Sequence, residues 1–341
     1  MLIVEVMGGL GNQLQQYALY RKLKSLGRDA KLDVSWYTQK GRQDSVLAPR
    51  RLELSYFEKL PMELCTEEEK QRLVGGEGLT GKLRRKLAPG TVRRFRETDL
   101  YHPEIFSFTD MYLTGFWACE KYYADILPQL RNEIIFPKQE KCQNFETDEE
   151  NCHIIRNIQN NSNCENIEKN REKSETIQTK SSAGKNRLTM EKMKREISVS
   201  IHIRRGDYLD PQNAALFGGI CTESYYDGAV RYVLERFPDA HFYLFSDDPA
   251  YARDRYRGDR YTVVDWNTGA DSFYDIQLMS SCRHNVCANS TFSFWGARLN
   301  PNPDKIMIRP AKHKNGQLVN PDELHELWPG WVILDGEGKR V

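Results

Sequence analysis

Arg204 and Arg205 stand side by side, with His202 two residues before Arg204 and Asp207 two residues after Arg205. Paired guanidiniums grip a phosphate or pyrophosphate bidentately and stay charged at any working pH. A second polar cluster, Ser246-Asp247-Asp248, precedes Pro249, and a third is Asn289-Ser290-Thr291. Carboxylates such as Asp247 and Asp248 accept hydrogen bonds from ribose hydroxyls or from the N1–H and N2–H of a guanine. Ser290 and Thr291 offer hydroxyl and backbone donors to a phosphate where they open a helix. Near the start of the chain, Gly8, Gly9 and Gly11, followed by Asn12 and Gln13, make a turn that lets a ligand approach the backbone. Taken singly, these clusters read as well as an ion-paired turn, a turn before proline and an ordinary helix cap. Taken together and in order, they read as a nucleotide cradle.

The elements that must position them follow from periodicity. Ile197, Val199, Ile201 and Ile203 alternate with Ser198, Ser200, His202 and Arg204, the period-two pattern of a strand. His202 and Arg204 then share a face at its C-terminal end, where Gly206 turns the chain. Strands over 241–245 and 285–288 end at the other two clusters. Helices are expected over 222–237, 250–256, 272–281 and 292–299 between them. Strands alternating with helices imply a parallel sheet covered on both faces, with the three clusters along one edge.

The N-terminal stretch reads the same way: a strand over 2–7, the glycine turn, a helix from Asn12 to about Leu26 and a strand over 30–34. Asn12 is the expected cap and Gly27 the expected stop. As a dinucleotide fingerprint the turn is incomplete, since Leu14 stands where a third glycine belongs. Asp33 lies where such folds hold a ribose, which leaves a nucleotide-dependent oxidoreductase as an alternative. A helix with Pro128 as its break is expected over 121–134. Residues 138–196 are rich in Asn, Glu and Lys and read as a polar linker or insertion, with a helix near 188–196. The domains are therefore two Rossmann-like units, 1–137 and 197–341.

With 49 basic and 48 acidic residues, the net charge of +1 argues against nucleic acid as a partner. No run approaches the roughly 18 apolar residues of a membrane span, and the first residues lack a signal peptide's basic and apolar regions. A cytoplasmic protein is expected. Seven basic residues over 82–96 (Lys82, Arg84, Arg85, Lys86, Arg93, Arg94, Arg96) suit peripheral contact with an acidic membrane surface. The chain has no Asp-x-Asp pair with which to hold a nucleotide through a divalent ion. Arginine then takes over the neutralisation of the pyrophosphate, and no metal is expected.

The segments VMGGLGNQLQQYA, SIHIRRGDY and ANSTFSFWGARL together resemble the bacterial α-1,2-fucosyltransferases of glycosyltransferase family 11. The resemblance spans roughly residues 1–135 and 197–335. It implies a GT-B-like α/β architecture, two Rossmann-like domains facing a cleft. It further implies inverting, metal-independent transfer of L-fucose from GDP-β-L-fucose to the 2-hydroxyl of a terminal β-galactose, with no cofactor. By that resemblance Arg204 holds the pyrophosphate with Arg205 and His202 beside it, and Asp247 or Asp248 meets guanosine. Ser290 and Thr291, next to Asn289, take the β-phosphate. The loop of Gly8, Gly9, Gly11, Asn12 and Gln13 closes over sugar and acceptor. Asp207 is the candidate general base, or else the ion-pair partner that orients the arginines. Another linkage from the same donor is the nearest alternative. In one departure from the family, Gln15 occupies a position where it usually carries Phe.

Overall fold

The computed structural model describes residues 1–39, 42–44, 49–57, 59–76, 86, 92–98, 101–138, 181–316 and 320–341; the side chains of Asp207 and Gln212 lie outside that description. The N-terminal half runs β1 (Leu2–Glu5), α1 (Leu10–Ser25), β2 (Ala30–Asp33), α2 (Glu67–Val74), β3 (Arg94–Arg96), β4 (Met111–Thr114) and α3 (Leu127–Glu133). Its sheet is four-stranded and parallel, in the order β2-β1-β4-β3. Helix α1 buries Leu10, Leu14, Tyr17, Leu19 and Tyr20 around most of its circumference. A helix covered on nearly every side needs no clean stripe, which is why its apolar spacing fits a surface helix only loosely.

The C-terminal half runs α4 (Ser182–Arg195), β5 (Ser198–Ile203), α5 (Pro211–Phe217), α6 (Glu223–Leu234), β6 (His241–Ser246) and α7 (Pro249–Arg255). It continues with β7 (Tyr261–Val264), α8 (Tyr274–Ser281), β8 (His284–Val286), α9 (Thr291–Leu299), β9 (Met307–Pro310), α10 (Pro321–Leu327) and β10 (Trp331–Leu334). Its sheet is six-stranded and parallel, ordered β10-β9-β8-β5-β6-β7. The protein is thus α/β with two Rossmann-like, GT-B-like halves. All six residues of β5 are buried, the polar ones included. Ser200 accepts a bond from Asn285 Nδ2 at 2.8 Å, so the alternation marks two covered faces rather than one wet one.

Two expectations change. Residues 181–196 are no linker: α4 begins six residues earlier than expected and docks on the C-terminal half. Ser181 caps it by accepting from the Gly184 N–H. Fully buried Asn186 donates to Asn267 Oδ1 at 2.8 Å and accepts from Trp266 Nε1 at 2.6 Å. The rest of the proposed insertion, residues 139–180, lies outside the described residues. So do residues 82–85 and 87–91 of the basic stretch; of its described members, Arg93 pairs with Asp110 at 2.9 Å and Arg94 with Glu5 at 3.5 Å. The helix expected over 121–134 is two 3-10 turns, Glu120–Tyr122 and Ala124–Ile126, followed by α3. Pro128 sits in α3's first turn, where its missing N–H costs nothing.

One apolar cluster lies on one face of the larger sheet, where Val199, Ile201, Phe242 and Leu244 meet Ala229 and Val233 of α6. The largest cluster runs unbroken from Leu14 and Tyr17 in the N-terminal half to Phe294, Trp295 and Ile333 in the C-terminal half, and a small third one joins Ile3, Leu73 and Tyr112. The seam between the halves also holds a buried ion pair. Arg298 Nε on α9 lies 3.4 Å from Glu120 Oε2, with both side chains at 4% exposure or less. Arg298 Nη2 donates to Ala118 O at 3.0 Å, and Trp331 Nε1 donates to Glu120. Gln15 of α1 is fully buried, and neither of its amide atoms has a hydrogen-bonding partner.

Breaking a buried pair from one side leaves an uncompensated charge. Glu120→Gln is therefore expected to destabilise the protein by about 3 kcal/mol or more, on the scale measured for such losses, read by denaturant unfolding. Gln15→Met has the opposite sign. Relieving an unsatisfied buried amide at nearly constant volume should stabilise by about 1 kcal/mol in the same assay.

Candidate active site

Strands β8, β5 and β6 are neighbours in the larger sheet, so the three polar clusters sit side by side at its C-terminal edge. Arg204 Nη1 lies 3.1 Å from Asp247 Oδ2, and the Arg205 N–H donates to Asp247 Oδ1 at 2.8 Å. A Cβ on Gly206 would come within 2.9 Å of Asp247 Oδ2, so the glycine makes room for that carboxylate. Arg205 Nε approaches Asp248 Oδ2 at 3.4 Å, and its guanidinium lies over the Tyr251 ring at 3.8 Å. Asp248 in turn caps α7, its side chain accepting from the Tyr251 N–H. The carboxylates of β6 thus hold the arginines of β5 in place. Both pairs stay partly exposed, with side chains at 24–35%, so the arginines remain open to an anion at modest cost.

His202 is buried, its ring tilted against Phe292 at 5.8 Å. Burial, then the charge of Arg204, holds its pKa down at about 3. It is neutral near pH 7, so it packs under α9 and brings no positive charge to a phosphate. Asn289 donates to Phe217 O and His313 O at 3.2 Å each, binding the surrounding loops together. Ser290 occupies the N-cap of α9, yet its hydroxyl makes no capping bond. The first N–H groups of a nine-residue helix therefore carry no side-chain cap, beside an uncommitted hydroxyl. Asp207 opens a 3-10 turn, Asp207–Leu209, but its side chain lies outside the described residues.

The glycine loop of the N-terminal half meets this helix end directly. Thr291 Oγ1 donates to Asn12 Oδ1 at 2.9 Å. A Cβ on Gly11 would fall 2.5 Å from both the Phe292 nitrogen and Thr291 Oγ1. Of the three glycines only Gly8 needs positive φ, at 81°. Gly9 is the cap of α1, which begins at Leu10; Asn12 therefore lies within the first turn rather than capping it, and points to α9. Gln13 is buried and staples the loop. It donates to Gly8 O and Arg51 O and accepts from the Glu53 and Leu54 N–H groups.

Asp33 does not serve a ribose. Its oxygens accept from the Ser35 N–H at 2.9 Å and the Tyr112 hydroxyl at 2.6 Å, and it pairs with buried Lys70 at 3.2 Å. The dinucleotide alternative thereby loses its ribose contact. Sequence reasoning passed over residues 35–57, where Tyr37, Arg50 and Glu53 gather against the glycine loop. Tyr37 donates to Gly8 O at 2.9 Å, and a Cβ on Gly9 would lie 3.8 Å from Arg50 Nη1 and 4.0 Å from Glu53 Oε2. The one available signal was the charged run Arg50-Arg51-Leu52-Glu53 inside an apolar stretch.

A family model described as Glycosyl transferase family 11 matches residues 163–335. The chain is 28% identical over 323 residues to the O-antigen biosynthesis glycosyltransferase WbnK of Escherichia coli, covering 89% of this chain and 92% of that protein. It is 37% identical over 135 residues to an alpha-1,2-colitosyltransferase of Escherichia coli, covering 38% and 46%. It is 30% identical over 103 residues to the galactoside 2-alpha-L-fucosyltransferase Sec1 of Mus musculus, covering 30% and 28%.

Gly11→Ala places a methyl against the backbone of α9. Overpacking of this kind costs about 1–3 kcal/mol, and here it pries the loop from the helix end. The variant is expected to lose stability by that amount and transferase activity by at least about tenfold, checked by thermal unfolding and initial rates.

Proposed function

The chain belongs to glycosyltransferase family 11, and from that premise we propose that it transfers L-fucose from GDP-β-L-fucose to the 2-hydroxyl of a terminal β-galactose, with inversion and without a metal ion. It is a glycosyltransferase of the fucosyltransferase family, acting on a nucleotide-sugar donor and a glycan acceptor. The finer reading rests on one observation above the rest. Two oriented arginines and the uncapped N-terminus of α9 converge at one sheet edge, against the glycine loop of the other half.

In this reading Arg204 and Arg205 bind the pyrophosphate, and Ser290, Thr291 and the α9 N–H groups bind the β-phosphate. The leaving diphosphate gains charge in the transition state, so donors aimed there act on rate as well as on affinity. This is the part a metal plays in other transferases. Asp247 and Asp248 set the arginines, and guanosine docks along the same edge. Asn289 positions the α9 turn. The glycine loop brings the acceptor side against the sugar, where an in-line attack by the acceptor oxygen inverts the anomeric carbon. The acceptor is a galactose-terminated glycan of a bacterial surface polysaccharide, and contact with the membrane would be peripheral. No helix among the described residues is long and apolar enough to cross a membrane. The similarity to an alpha-1,2-colitosyltransferase favours a second reading, the same linkage with colitose as the sugar.

GDP should raise the melting temperature, whereas NAD should leave it unchanged and EDTA should not impair turnover. Arg204→Ala is expected to lower kcat/KM by about two to three orders of magnitude, measured with GDP-fucose and β-galactosides. Near-wild-type activity in that variant would remove the pyrophosphate role, and turnover of GDP-colitose alone would decide for the second reading.

A further inference from the structure

An inverting displacement needs its base on the acceptor's side of the anomeric carbon, opposite the leaving phosphate. Asp207 follows closely on Arg204 and Arg205 in sequence, the residues proposed above to hold the leaving diphosphate. Carboxylates of the N-terminal half are therefore the ones to weigh. Glu5 is buried between Arg42 at 3.1 Å and Arg94 at 3.5 Å. Asp33 is consumed by Lys70 and Tyr112. Glu97 accepts from the Phe116 and Trp117 N–H groups at 2.7 and 2.6 Å.

Glu53 differs from all three. It is half-buried, with its carboxylate against Gly9 and the Leu10 N–H at the start of α1. Its own backbone N–H is fixed by Gln13 at 2.8 Å. The groups that face it are Arg50, Tyr37 and Tyr56. Tyr56 in turn packs on Phe273 of the opposite half at 5.0 Å, so this turn lies on the interdomain boundary. Two residues along α1, Gly11 abuts Thr291. The Gly9 and Gly11 backbones are at most about 7 Å apart, so the carboxylate and the Thr291 hydroxyl border the same glycine loop from its two sides. Tyrosine rings beside a carboxylate and a guanidinium also make a surface suited to a hexose.

We propose that Glu53 is the general base of the transfer and that Tyr37, Arg50 and Tyr56 line the subsite for the acceptor's terminal hexose. The assignment rests on the fucosyl-transfer reading above. In the step, the acceptor O–H proton passes to the Glu53 carboxylate as the acceptor oxygen bonds to C1 of the donor sugar. The C1–O bond to the β-phosphate breaks, and GDP departs with its electron pair. Burial raises the Glu53 pKa above the ordinary carboxylate value, against the lowering effects of the Leu10 N–H and of Arg50. A protonated Glu53 cannot accept the proton, so kcat/KM falls as pH drops through that raised pKa.

The test compares wild type with Glu53→Gln on GDP-fucose with lactose, N-acetyllactosamine and phenyl β-D-galactoside. Glutamine keeps an oxygen for the Leu10 N–H. The expected result is a loss of about 10²–10⁴-fold in kcat with the donor KM and the GDP-induced rise in melting temperature retained. The acid limb of the wild-type pH profile should vanish from the residual rate. A variant within threefold of wild type, or one that keeps the acid limb, overturns the assignment alone. A wild-type enzyme that turns over GDP-fucose on none of these acceptors overturns the transfer reading and this assignment with it. Should the glutamine variant not fold, the wild-type profile decides, and a kcat/KM flat on its acid side overturns the proposal.

Discussion

The approach of α1 to α9 at Gly11 is the constraint on which the rest of the site depends. Two helix N-termini, one from each half, meet where a single methyl group would not fit. Each brings a partial positive charge. Bringing two such ends together is unfavourable unless something negative lies between or beside them. The Thr291–Asn12 bond ties the ends without neutralising them, and Glu53 supplies negative charge on one side only. A diphosphate on the other side would complete the balance. The two arginines and the uncapped α9 turn lie at this same point of the larger sheet's edge.

The remaining machinery is held by pairs rather than by isolated groups. Each arginine has a carboxylate on the adjacent strand, and one of those carboxylates is itself fixed as a helix cap. Guanidiniums held this way lose little freedom when they bind, which concentrates their effect on the transition state. Partial exposure keeps the pairs weak enough to admit a competing anion. The buried Arg298–Glu120 pair is built for the opposite purpose. It is sealed from water, and its partners come from different halves, so it serves the register of the seam rather than ligand exchange.

Much of this was legible from spacing. The alternation before Arg204, the two later strand ends and the parallel arrangement all follow from period-two and helical patterns, and the three clusters fall on adjacent strands. The rest was hidden for physical reasons. The purpose of Gly11 is a tertiary contact with residues 280 positions away, which no local rule encodes. His202 looks like a phosphate ligand by position, but burial under Phe292 keeps it neutral. Helix α4 was masked by its polar composition, because Asn186 is satisfied by Asn267 and Trp266 rather than by water. Asp33 fits a ribose pattern in sequence and is claimed by Lys70 in space.

The apolar cluster that runs from Leu14 to Trp295 means that the two halves share one core across the seam that carries the candidate site. Evolution therefore cannot shuffle them as modules. A half borrowed from a relative brings its own version of Gly11, Asn12 and Glu120, and it must match the recipient's Thr291, Phe292 and Arg298. Acceptor preference in such enzymes should consequently drift through loop substitutions on a fixed frame, with recombination succeeding only where both banks of the seam travel together.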